Sequence, residues 1–339
     1  MHYSEEFNVK KILVSRAVFP DVIERLKRHF DVETNQEDRR LTREELAVKL
    51  VDKDGMFVAG DRIDAEVLAA APRLRVVANM AVGYNNFDID AFNRASVLGT
   101  NTPDVLNETT ADLGWALMMA AARRMSEGER FLRAGKWDRW AYDMLMGSDV
   151  YGSTLGVIGM GRIGQAVARR AKGFGMRVVY HNRSRVTAEI ERELNAEYLN
   201  KEALLKEADH VVLVLPYTPS SHHTIGAAEF ALMKRTATIT NIARGGIIDD
   251  VALIEALRAH QIGAAGLDVF EGEPKLNPGF LDLPNVVLTP HIGSATEATR
   301  RAMANLTADN LIAGLGEGPQ AGHPPTPINP EVMAHWSHG

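Results

Sequence analysis

The stretch Leu155-Gly-Val-Ile-Gly-Met-Gly-Arg-Ile-Gly164 decides the fold of this chain. It places three glycines in the pattern G-x-G-x-x-G, directly after an apolar run and at the start of a predicted helix. A second apolar run ends at Tyr180 and completes a strand–helix–strand unit of about 30 residues, the setting that this pattern requires. There Gly159 permits a tight turn, Gly161 lets the backbone approach a pyrophosphate, and Gly164 lets helix and strand pack closely. Because the helix amino terminus offers free N–H groups to phosphates, the stretch predicts a dinucleotide site rather than a glycine-rich turn without a ligand.

Short apolar runs lie on both sides of this unit. They alternate with helical stretches, which implies parallel pairing in an α/β layer, and near-continuous apolar runs are typical of sheets covered on both faces. We therefore predict an α/β fold with two Rossmann-like domains, each a doubly wound parallel sheet with helices on both faces, and a cleft between them. The predicted strands are Lys11–Ser15, Gly55–Ala59, Arg75–Ala78, Thr154–Ile158, Arg177–Tyr180, His210–Leu215, Ala237–Asn241, Ala264–Asp268 and Val286–Thr289.

Further segments organise the chain around these strands. A break is predicted at Gly99–Pro103. The helix predicted over Glu108–Arg124 is apolar around most of its circumference, so it is buried either in a subunit interface or in a deep core. Ser294-Ala-Thr-Glu297 has the spacing of a capping box and predicts a helix to about Leu315. Gly318–Gly339 holds five of the fourteen prolines, which excludes a helix or a central strand and predicts an extended tail.

The composition excludes several classes of protein. A chain of 339 residues predicts about two domains, and 45% hydrophobic with 24% charged residues excludes wholesale disorder. The absence of cysteine excludes disulfides and thiolate metal sites, and the net charge of −6 disfavours nucleic acid as a partner. The longest apolar runs, such as Val211–Leu215, fall far short of the ~20 residues that a membrane span needs. Because the acidic start Met1–Glu6 is also unlike a secretory signal, we predict a cytoplasmic protein.

The end of the second strand in the glycine unit indicates which dinucleotide binds. An NAD site usually places an acidic residue about 20 positions beyond the glycine loop, where it holds the ribose hydroxyls. Here Asn182 stands at that place and is followed by Arg183, Ser184 and Arg185. A carboxylate would repel a 2′-phosphate, whereas arginines pair with it. We therefore predict NADP as cofactor, with NADPH preferred over NADH; the alternative is that both arginines are solvated loop charges.

Three polar residues each follow the carboxyl end of a predicted strand, where ligands bind in open parallel sheets. They are Arg244, Glu273 and His291. The Arg244 guanidinium suits the binding and polarisation of a 2-oxo acid, and His291 suits proton delivery near neutral pH. Glu273, if paired with His291, would orient the ring and favour the imidazolium. Each residue alone also has a structural interpretation, as a surface charge, a loop acid or a packed histidine.

No metal site is predicted. The other ten histidines lack a comparable setting, and their spacing does not match a metal-binding motif. His222 and His223 lie in a polar loop, and we expect the side chains of these sequence neighbours to point apart.

Six stretches of the sequence together carry a specific resemblance. They are Ala81-Val-Gly-Tyr-Asn-Asn-Phe-Asp88, Glu108-Thr-Thr-Ala-Asp112, Leu155-Gly-Val-Ile-Gly-Met-Gly-Arg-Ile-Gly164, Asn241-Ile-Ala-Arg-Gly-Gly246, Gly266-Leu-Asp-Val-Phe-Glu-Gly-Glu-Pro274 and Pro290-His-Ile-Gly-Ser-Ala295. On these stretches the chain resembles the D-isomer-specific 2-hydroxyacid dehydrogenase family, over nearly its whole length to about residue 316. Within the family it is most similar to the glyoxylate/hydroxypyruvate reductases, including the 2-ketogluconate reductase type.

The resemblance implies roles for individual residues. Arg244, Glu273 and His291 would be the catalytic residues. Backbone N–H groups around Val82 and Gly83 would hold the substrate carboxylate. The substrate would contact Ala81, Val82, Gly83, Arg244 and His291.

The resemblance also implies which residues bind the cofactor. Asp268 would bind the nicotinamide carboxamide, and Thr110 would lie on the nicotinamide side. Asn182 with Arg183 departs from the NAD-using members and fits the NADP-using reductases. The full set of cofactor contacts would be Thr110, Gly159, Gly161, Arg162, Ile163, Gly164, Asn182, Arg183, Ser184, Arg185, Leu215, Pro216, Ile242, Ala243, Asp268, His291 and Gly293.

Domain organisation and activity follow from the same resemblance. The substrate domain would comprise residues 1–104 with 292–339, and the dinucleotide-binding domain residues 105–291. A homodimer would form through a segment near residues 105–150, where Trp140 is expected to reach the partner's substrate mouth unless it is a core aromatic. The implied activity is NADPH-dependent reduction of small 2-oxo acids: glyoxylate, hydroxypyruvate or 2-ketogluconate. An NAD-linked dehydrogenase of the phosphoglycerate, formate or phosphite type and a dinucleotide-sensing corepressor remain alternatives.

Overall fold

The structure is a computed structural model that describes residues 9–338. The acidic start at Met1–Glu6 lies outside the described residues. The chain divides into two compact units, which we call unit 1 (Met1–Leu106 with Thr296–Gly339) and unit 2 (Asn107–Ala295). Unit 2 is therefore an insertion in the sequence of unit 1.

Within residues 9–338, unit 1 contains a parallel sheet of five strands in the order β2-β1-β3-β4-β5. The strands are β1 (Lys11–Val14), β2 (Asp31–Thr34), β3 (Gly55–Val58), β4 (Val76–Asn79) and β5 (Leu98–Thr100). Helices alternate with them and return the chain so that the strands pair in parallel. These helices are α1 (Pro20–Lys27), α2 (Arg43–Leu50), α3 (Ala65–Ala69) and α4 (Ile89–Arg94).

Unit 2 contains a parallel sheet of seven strands, counted over the described part of the chain, in the order β12-β11-β10-β9-β6-β7-β8. The strands are β6 (Thr154–Ile158), β7 (Arg177–His181), β8 (Ala196–Tyr198), β9 (His210–Leu213), β10 (Thr238–Asn241), β11 (Ala264–Leu267) and β12 (Val286–Leu288). The helices are α5 (Asn107–Ala122), α6 (Met125–Arg133), α7 (Arg162–Ala171), α8 (Ala188–Leu194), α9 (Lys201–Glu207), α10 (Ala227–Phe230) and α11 (Asp250–Arg258). The order reverses between β6 and β9, and the carboxyl ends of strands at such a reversal form the ligand-binding edge of this kind of sheet.

The chain returns to unit 1 with the long helix α12 (Glu297–Gly314). This helix packs on β3, β4 and α1. Its buried residues Ala308 and Leu311 belong to the same apolar core as Ile12 and Val76 of the sheet. A Cβ at Gly55 would lie 2.9 Å from the Leu311 side chain, so the helix sits close against β3. Unit 1 thus needs both ends of the sequence to complete its core.

The two parallel sheets confirm the predicted α/β fold class. Two edge strands, β2 and β8, were not predicted because they carry polar, partly exposed residues instead of an apolar run. The α5 helix lies in the deep core of unit 2, where it packs against β10, β11 and α7. In residues 9–338 no helix has the length and apolar character that crossing a membrane would demand.

Three local predictions are wrong. Gly99 lies within β5 rather than in a break, because it pairs with Val77 of the neighbouring strand β4. The α12 helix is capped by Thr296, whose side chain accepts the Thr299 N–H at 3.3 Å, instead of by Ser294. The proline-rich tail is not wholly extended, since a 3₁₀ helix runs over Pro330–His338. Proline is tolerated there because the first turn of a helix leaves its N–H groups unbonded.

Candidate active site

The turn between β6 and α7 has the backbone geometry that its glycines allow. Gly159 has a φ of +106°, and a Cβ there would lie 2.7 Å from the Leu215 nitrogen. A Cβ at Gly164 would lie 2.1 Å from the Gly159 oxygen, so α7 packs against the turn only without a side chain at this position. At Gly161, which caps α7 without a side chain, no described residue lies within 4 Å of a Cβ position. The open side of this turn therefore fits a phosphate group beside the first N–H groups of α7.

A cavity of about 580 Å³ lies next to this turn, at the carboxyl ends of β6, β7 and β9. Its volume is in the range of small-molecule sites, about 300–1,000 Å³. The position also matches the reversal of strand order, where a dinucleotide is expected. Of the predicted cofactor residues, the cavity is lined by Gly159, Gly161, Asn182, Arg183, Ser184, Leu215 and Pro216.

The polar residues after β7 are held in different ways. The Asn182 side-chain oxygen accepts the Met160 N–H at 2.7 Å and so ties the end of β7 to the glycine turn. Arg183 is exposed, lines the cavity and makes no hydrogen bond or ion pair with any residue in 9–338. Arg185 instead forms a two-pronged ion pair with Glu191, from Nε at 3.0 Å and Nη2 at 2.9 Å. Of the two arginines, only Arg183 therefore has an uncommitted guanidinium at the cavity.

The turn after β10 carries Arg244. Asn241, the last residue of β10, fixes this turn: its Oδ1 accepts the Ala243 N–H at 3.0 Å, and its Nδ2 donates to the Arg244 oxygen at 3.1 Å. The Arg244 Nη1 donates to the Ala243 oxygen at 2.7 Å. A Cβ at Gly245 would lie 1.8 Å from the Phe270 oxygen. Glycine at this position therefore lets the segment after β11 pass directly beside the Arg244 turn.

Glu273 and His291 form a hydrogen-bonded pair. The Glu273 Oε1 and the His291 Nδ1 are 2.7 Å apart, and Glu273 Oε2 accepts the Phe270 N–H at 3.4 Å. The His291 side chain is 48% exposed, and no described residue bonds its Nε2. Since Nδ1 is bonded to the carboxylate, Nε2 is the ring nitrogen that is available to exchange a proton with a ligand.

Asp268 holds the turn that carries His291. It directly follows β11 and is buried. Its Oδ1 accepts the Thr289 hydroxyl and the Ile292 N–H, both at 2.7 Å, and its Oδ2 accepts the Gly293 N–H at 2.8 Å. The His291 N–H donates to the Asp268 backbone oxygen at 2.9 Å. These bonds support a left-handed backbone at His291, with φ of +53°, which a residue with a side chain seldom adopts.

The ionisation of this group follows from burial and charge. Burial lowers the pKa of the Arg244 guanidinium, and the charge of Glu273 opposes that effect. Burial alone would raise the pKa of Glu273, but the hydrogen bond and charge of His291, the Phe270 N–H and the charge of Arg244 together bring it below its ordinary value. Glu273 is therefore a carboxylate throughout the neutral pH range, and it stays ionised to lower pH than an ordinary glutamate.

Comparison with known proteins places this geometry in a family. Residues 115–293 match the family model described as the NAD binding domain of D-isomer specific 2-hydroxyacid dehydrogenases. A glyoxylate reductase from Thermococcus gammatolerans is 50% identical over 329 residues, which cover 95% of this chain and 97% of that protein. The chain belongs to the D-isomer specific 2-hydroxyacid dehydrogenase family. The resemblance stated from the sequence is thereby confirmed, and the cofactor of this 2-hydroxyacid dehydrogenase is a nicotinamide dinucleotide.

Solved structures of other family members have the same fold. The NADPH-dependent glyoxylate/hydroxypyruvate reductase from Sinorhizobium meliloti, in complex with NADP and malonate, superposes with a TM-score of 0.84 at 33% identity. The match covers 94% of this chain and 96% of that one. A glyoxylate reductase from Paecilomyes thermophila gives a TM-score of 0.85 at 31% identity, covering 96% and 99% of the two chains.

In this family member the remaining predicted cofactor residues fall into three places of unit 2. Arg162 and Ile163 begin α7. Ile242 and Ala243 are buried directly after β10. The third place joins α5 to the Asp268 turn: a Cβ at Gly293 would lie 3.2 Å from Asp268 Oδ2 and 3.4 Å from the Thr110 side chain.

Of the predicted substrate residues, Ala81, Val82 and Gly83 lie in unit 1, in the loop after β4, whereas Arg244 and His291 lie in unit 2. Two asparagines that the sequence analysis did not single out hold this loop. Asn79 Nδ2 donates to the Gly83 oxygen at 3.1 Å, and Asn101 Nδ2 donates to the Val82 oxygen at 2.7 Å. The Ala81 oxygen accepts a further backbone N–H at 2.9 Å. Both asparagines stand at or just after the carboxyl end of a buried strand, the same signal that identified Arg244.

The expectation that His222 and His223 point apart is wrong. Their rings are stacked, with centroids 3.8 Å apart and planes inclined by 23°. The cause is the backbone of His223, whose left-handed φ of +49° turns its side chain back beside that of its neighbour. The His223 Nε2 lies 2.7 Å from a carboxylate oxygen of Glu271.

Proposed function

We propose that this chain is an NADPH-dependent reductase of small 2-oxo acids and that, among these acids, glyoxylate is its substrate. The observation that carries the proposal is the Glu273–His291 pair at 2.7 Å, in the same unit as the glycine turn and the Arg244 turn. A histidine with Nδ1 on a carboxylate and Nε2 unbonded is the arrangement of a general acid or base. The name of the 50% identical relative supports glyoxylate over other small acids.

A nicotinamide dinucleotide held at the glycine turn and by Arg183 would supply the hydride that the carbonyl carbon of the substrate accepts. Arg244 binds the oxygens of the 2-oxo acid and stabilises negative charge on the carbonyl oxygen, which its planar fork of donors suits. The His291 Nε2 donates a proton to that oxygen, and Glu273 keeps the ring oriented through its bond to Nδ1. The lowered pKa of Glu273 keeps this carboxylate available across the neutral range.

We propose that the substrate carboxylate binds to backbone N–H groups at Val82 and Gly83. Backbone N–H groups are suitable donors to carboxylates because such charge-assisted hydrogen bonds are stronger than neutral ones. The bond from Asn101 to the Val82 oxygen fixes the peptide plane that contains the Gly83 N–H. The backbone bond to the Ala81 oxygen fixes the plane that contains the Val82 N–H, and the Asn79 bond holds the next peptide of the loop. Asn79 and Asn101 are then positioning residues of the substrate loop.

We propose that Arg183 recognises the 2′-phosphate of NADPH. It lines the cavity beside the glycine turn and is not engaged by another described residue, whereas Arg185 is committed to Glu191. Lys201 also lines the cavity, but it is paired with Glu229 at 2.7 Å. Of the two arginines that the sequence suggested for binding the 2′-phosphate, we therefore retain Arg183.

The proposed function is tested with purified protein and a panel of glyoxylate, hydroxypyruvate, 2-ketogluconate and 3-phosphohydroxypyruvate. Oxidation of NADPH and NADH is followed by absorbance with each acid. We expect turnover of glyoxylate with NADPH and a higher KM for NADH. Turnover restricted to 3-phosphohydroxypyruvate with NADH would instead indicate an NAD-linked dehydrogenase. Binding of NADPH without turnover of any acid would indicate a sensor.

Glu273→Gln is expected to lower kcat/KM for glyoxylate reduction. The Glu273 carboxylate is bonded to His291 Nδ1 at 2.7 Å, and a bond to an ionised group is stronger than one between neutral groups. Glutamine keeps the shape of the side chain but removes its charge, so it should orient the His291 ring less firmly. kcat/KM is measured with NADPH saturating. Glu271→Gln, two residues away, is the matched control and should keep the wild-type value; equal kcat/KM for wild type and Glu273→Gln would contradict the proposed pairing.

We propose that the protein is a homodimer joined through the segment near residues 105–150. Within residues 9–338, large exposed apolar side chains are concentrated there, and contiguous patches of this kind mark interfaces. They include Leu132, Trp137, Trp140, Tyr142 and Met146, with exposures of 57–81%. Sedimentation equilibrium is expected to give twice the mass of the chain, and Trp137→Ser with Trp140→Ser to weaken association. A monomer at micromolar concentration would contradict the proposal.

A further inference from the structure

His222, His223 and Glu271 form a compact cluster outside the residues used above. One ligand atom from each side chain lies within 4.8 Å of the other two. In the part of the chain that the structure describes, this is the one group of three or more histidine and acidic side chains brought so close. The three residues come from two separate loops, so the fold, and not sequence proximity alone, assembles them.

We propose that this cluster is a binding site for a divalent transition-metal ion of the Zn²⁺ type. Two imidazoles and one carboxylate are the ligand set that zinc, nickel and copper ions prefer over magnesium and calcium. Metal–ligand bonds of about 2.0–2.2 Å bring ligand atoms to within about 4 Å of each other. The three side chains are partly or fully exposed, and their ligand atoms lie within 4.8 Å of one another.

Neighbouring groups hold the two histidine rings. The Tyr217 hydroxyl lies 3.2 Å from the His222 Nδ1, and a hydrogen bond that it accepts from that nitrogen leaves Nε2 with its lone pair. The Asp249 Oδ2 lies 3.9 Å from the His223 Nδ1. The His223 Nε2 donates to Glu271 Oε1 at 2.7 Å, so a metal ion would replace the proton between these two atoms. Such outer partners are typical of histidine ligands in proteins.

The backbone fixes where the cluster lies. The His223 N–H donates to the Gly246 oxygen at 2.8 Å, so the histidine pair is attached to the turn that follows Arg244. The Glu271 N–H donates to Asp250 Oδ2 at 3.1 Å, which holds the second loop. The left-handed φ of His223 keeps the two rings side by side. The ligand set is therefore largely organised before an ion arrives, and this inference does not depend on which acid is reduced.

The proposal is tested by titrating chelator-treated, full-length protein with ZnCl₂ in an isothermal calorimeter. We expect one ion per chain. Glu271→Gln and His223→Asn should each weaken its affinity at least tenfold, and asparagine is chosen because it tolerates left-handed backbone. His260→Asn is the matched control, because His260 is also exposed with a φ of +49°, and it should bind as wild type does. Circular dichroism checks that each variant is folded.

The visible absorption of bound cobalt provides a second measurement, which does not depend on the heat of binding. Co²⁺ bound by two imidazoles and a carboxylate gives visible absorption bands, which should appear in wild type and in His260→Asn and be lost in the cluster variants. His291→Asn separates this site from the Glu273–His291 pair and should retain the bands. Absence of binding to wild type, or binding that the cluster variants leave unchanged, would overturn the proposal.

Discussion

His291→Ala is expected to lower kcat for glyoxylate reduction by roughly 10²–10⁴-fold, the usual contribution of a general acid or base. The Nε2 of His291 is the atom that would supply the proton, because Nδ1 is bonded to Glu273. Binding of NADPH, measured by quenching of protein fluorescence, should survive, since the cavity beside the glycine turn does not include this ring. A variant with nearly normal kcat would contradict the assignment.

Two companion variants separate chemistry from folding. His291→Asn removes the imidazole but tolerates the left-handed φ of +53°, so it should lose as much activity as alanine while its melting temperature stays closer to that of wild type. Arg244→Lys keeps the positive charge but loses the planar fork, and its kcat/KM should fall nearly as far. Full activity with lysine would mean that only charge is needed at this position.

Arg183→Ala is expected to raise KM for NADPH roughly ten- to hundredfold while KM for NADH changes little. A hydrogen bond to a charged group contributes ~1.5–3 kcal/mol, and each 1.4 kcal/mol is a factor of about ten. The preference for NADPH in wild type should weaken with added salt, because Arg183 is exposed and its attraction is screened. The measurement is KM for both cofactors at saturating glyoxylate.

Arg185→Ala is the matched control for this prediction. Its guanidinium is held by Glu191 at 2.9 Å, so its removal should change cofactor preference much less than removal of Arg183. Asn182→Asp adds a carboxylate, and an aspartate oxygen is still able to accept the Met160 N–H that holds the glycine turn. This variant should therefore bind NADPH more weakly and NADH more tightly. Equal effects of the two alanine variants would contradict the role given to Arg183.

Much of the candidate site is predictable because its residues obey a rule of parallel sheets. Arg244, Glu273 and His291 each follow a strand, and the carboxyl ends of such strands share one edge, so their grouping in unit 2 needed no contact information. The glycine turn was equally predictable from the sequence, since a positive φ and close backbone contacts demand glycine. Both the polar residues that follow strands and the glycine turn can therefore be recognised from residue type and local spacing in the sequence.

Other features depend on contacts between distant segments and could not be predicted. The commitment of Arg185 to Glu191 depends on how α8 starts, and the bond from Asn101 to the Val82 oxygen depends on the placement of β5. The stacking of His222 on its neighbour required knowledge of a single backbone angle. Hydrophobic periodicity locates strands and helices but does not determine which side chains of different segments meet.

The return of α12 to unit 1 has a consequence for synthesis of the chain on the ribosome. Ala308 and Leu311 cover Ile12 and Val76, yet they are translated more than 200 residues after these strands. The nascent amino-terminal segment therefore leaves the ribosome with this face of its sheet only partly covered, by α1, while unit 2 emerges as an uninterrupted segment with its own core. Exposed apolar surface of this kind makes folding intermediates prone to aggregation. The amino-terminal strands can therefore complete their core only after α12 has left the ribosome.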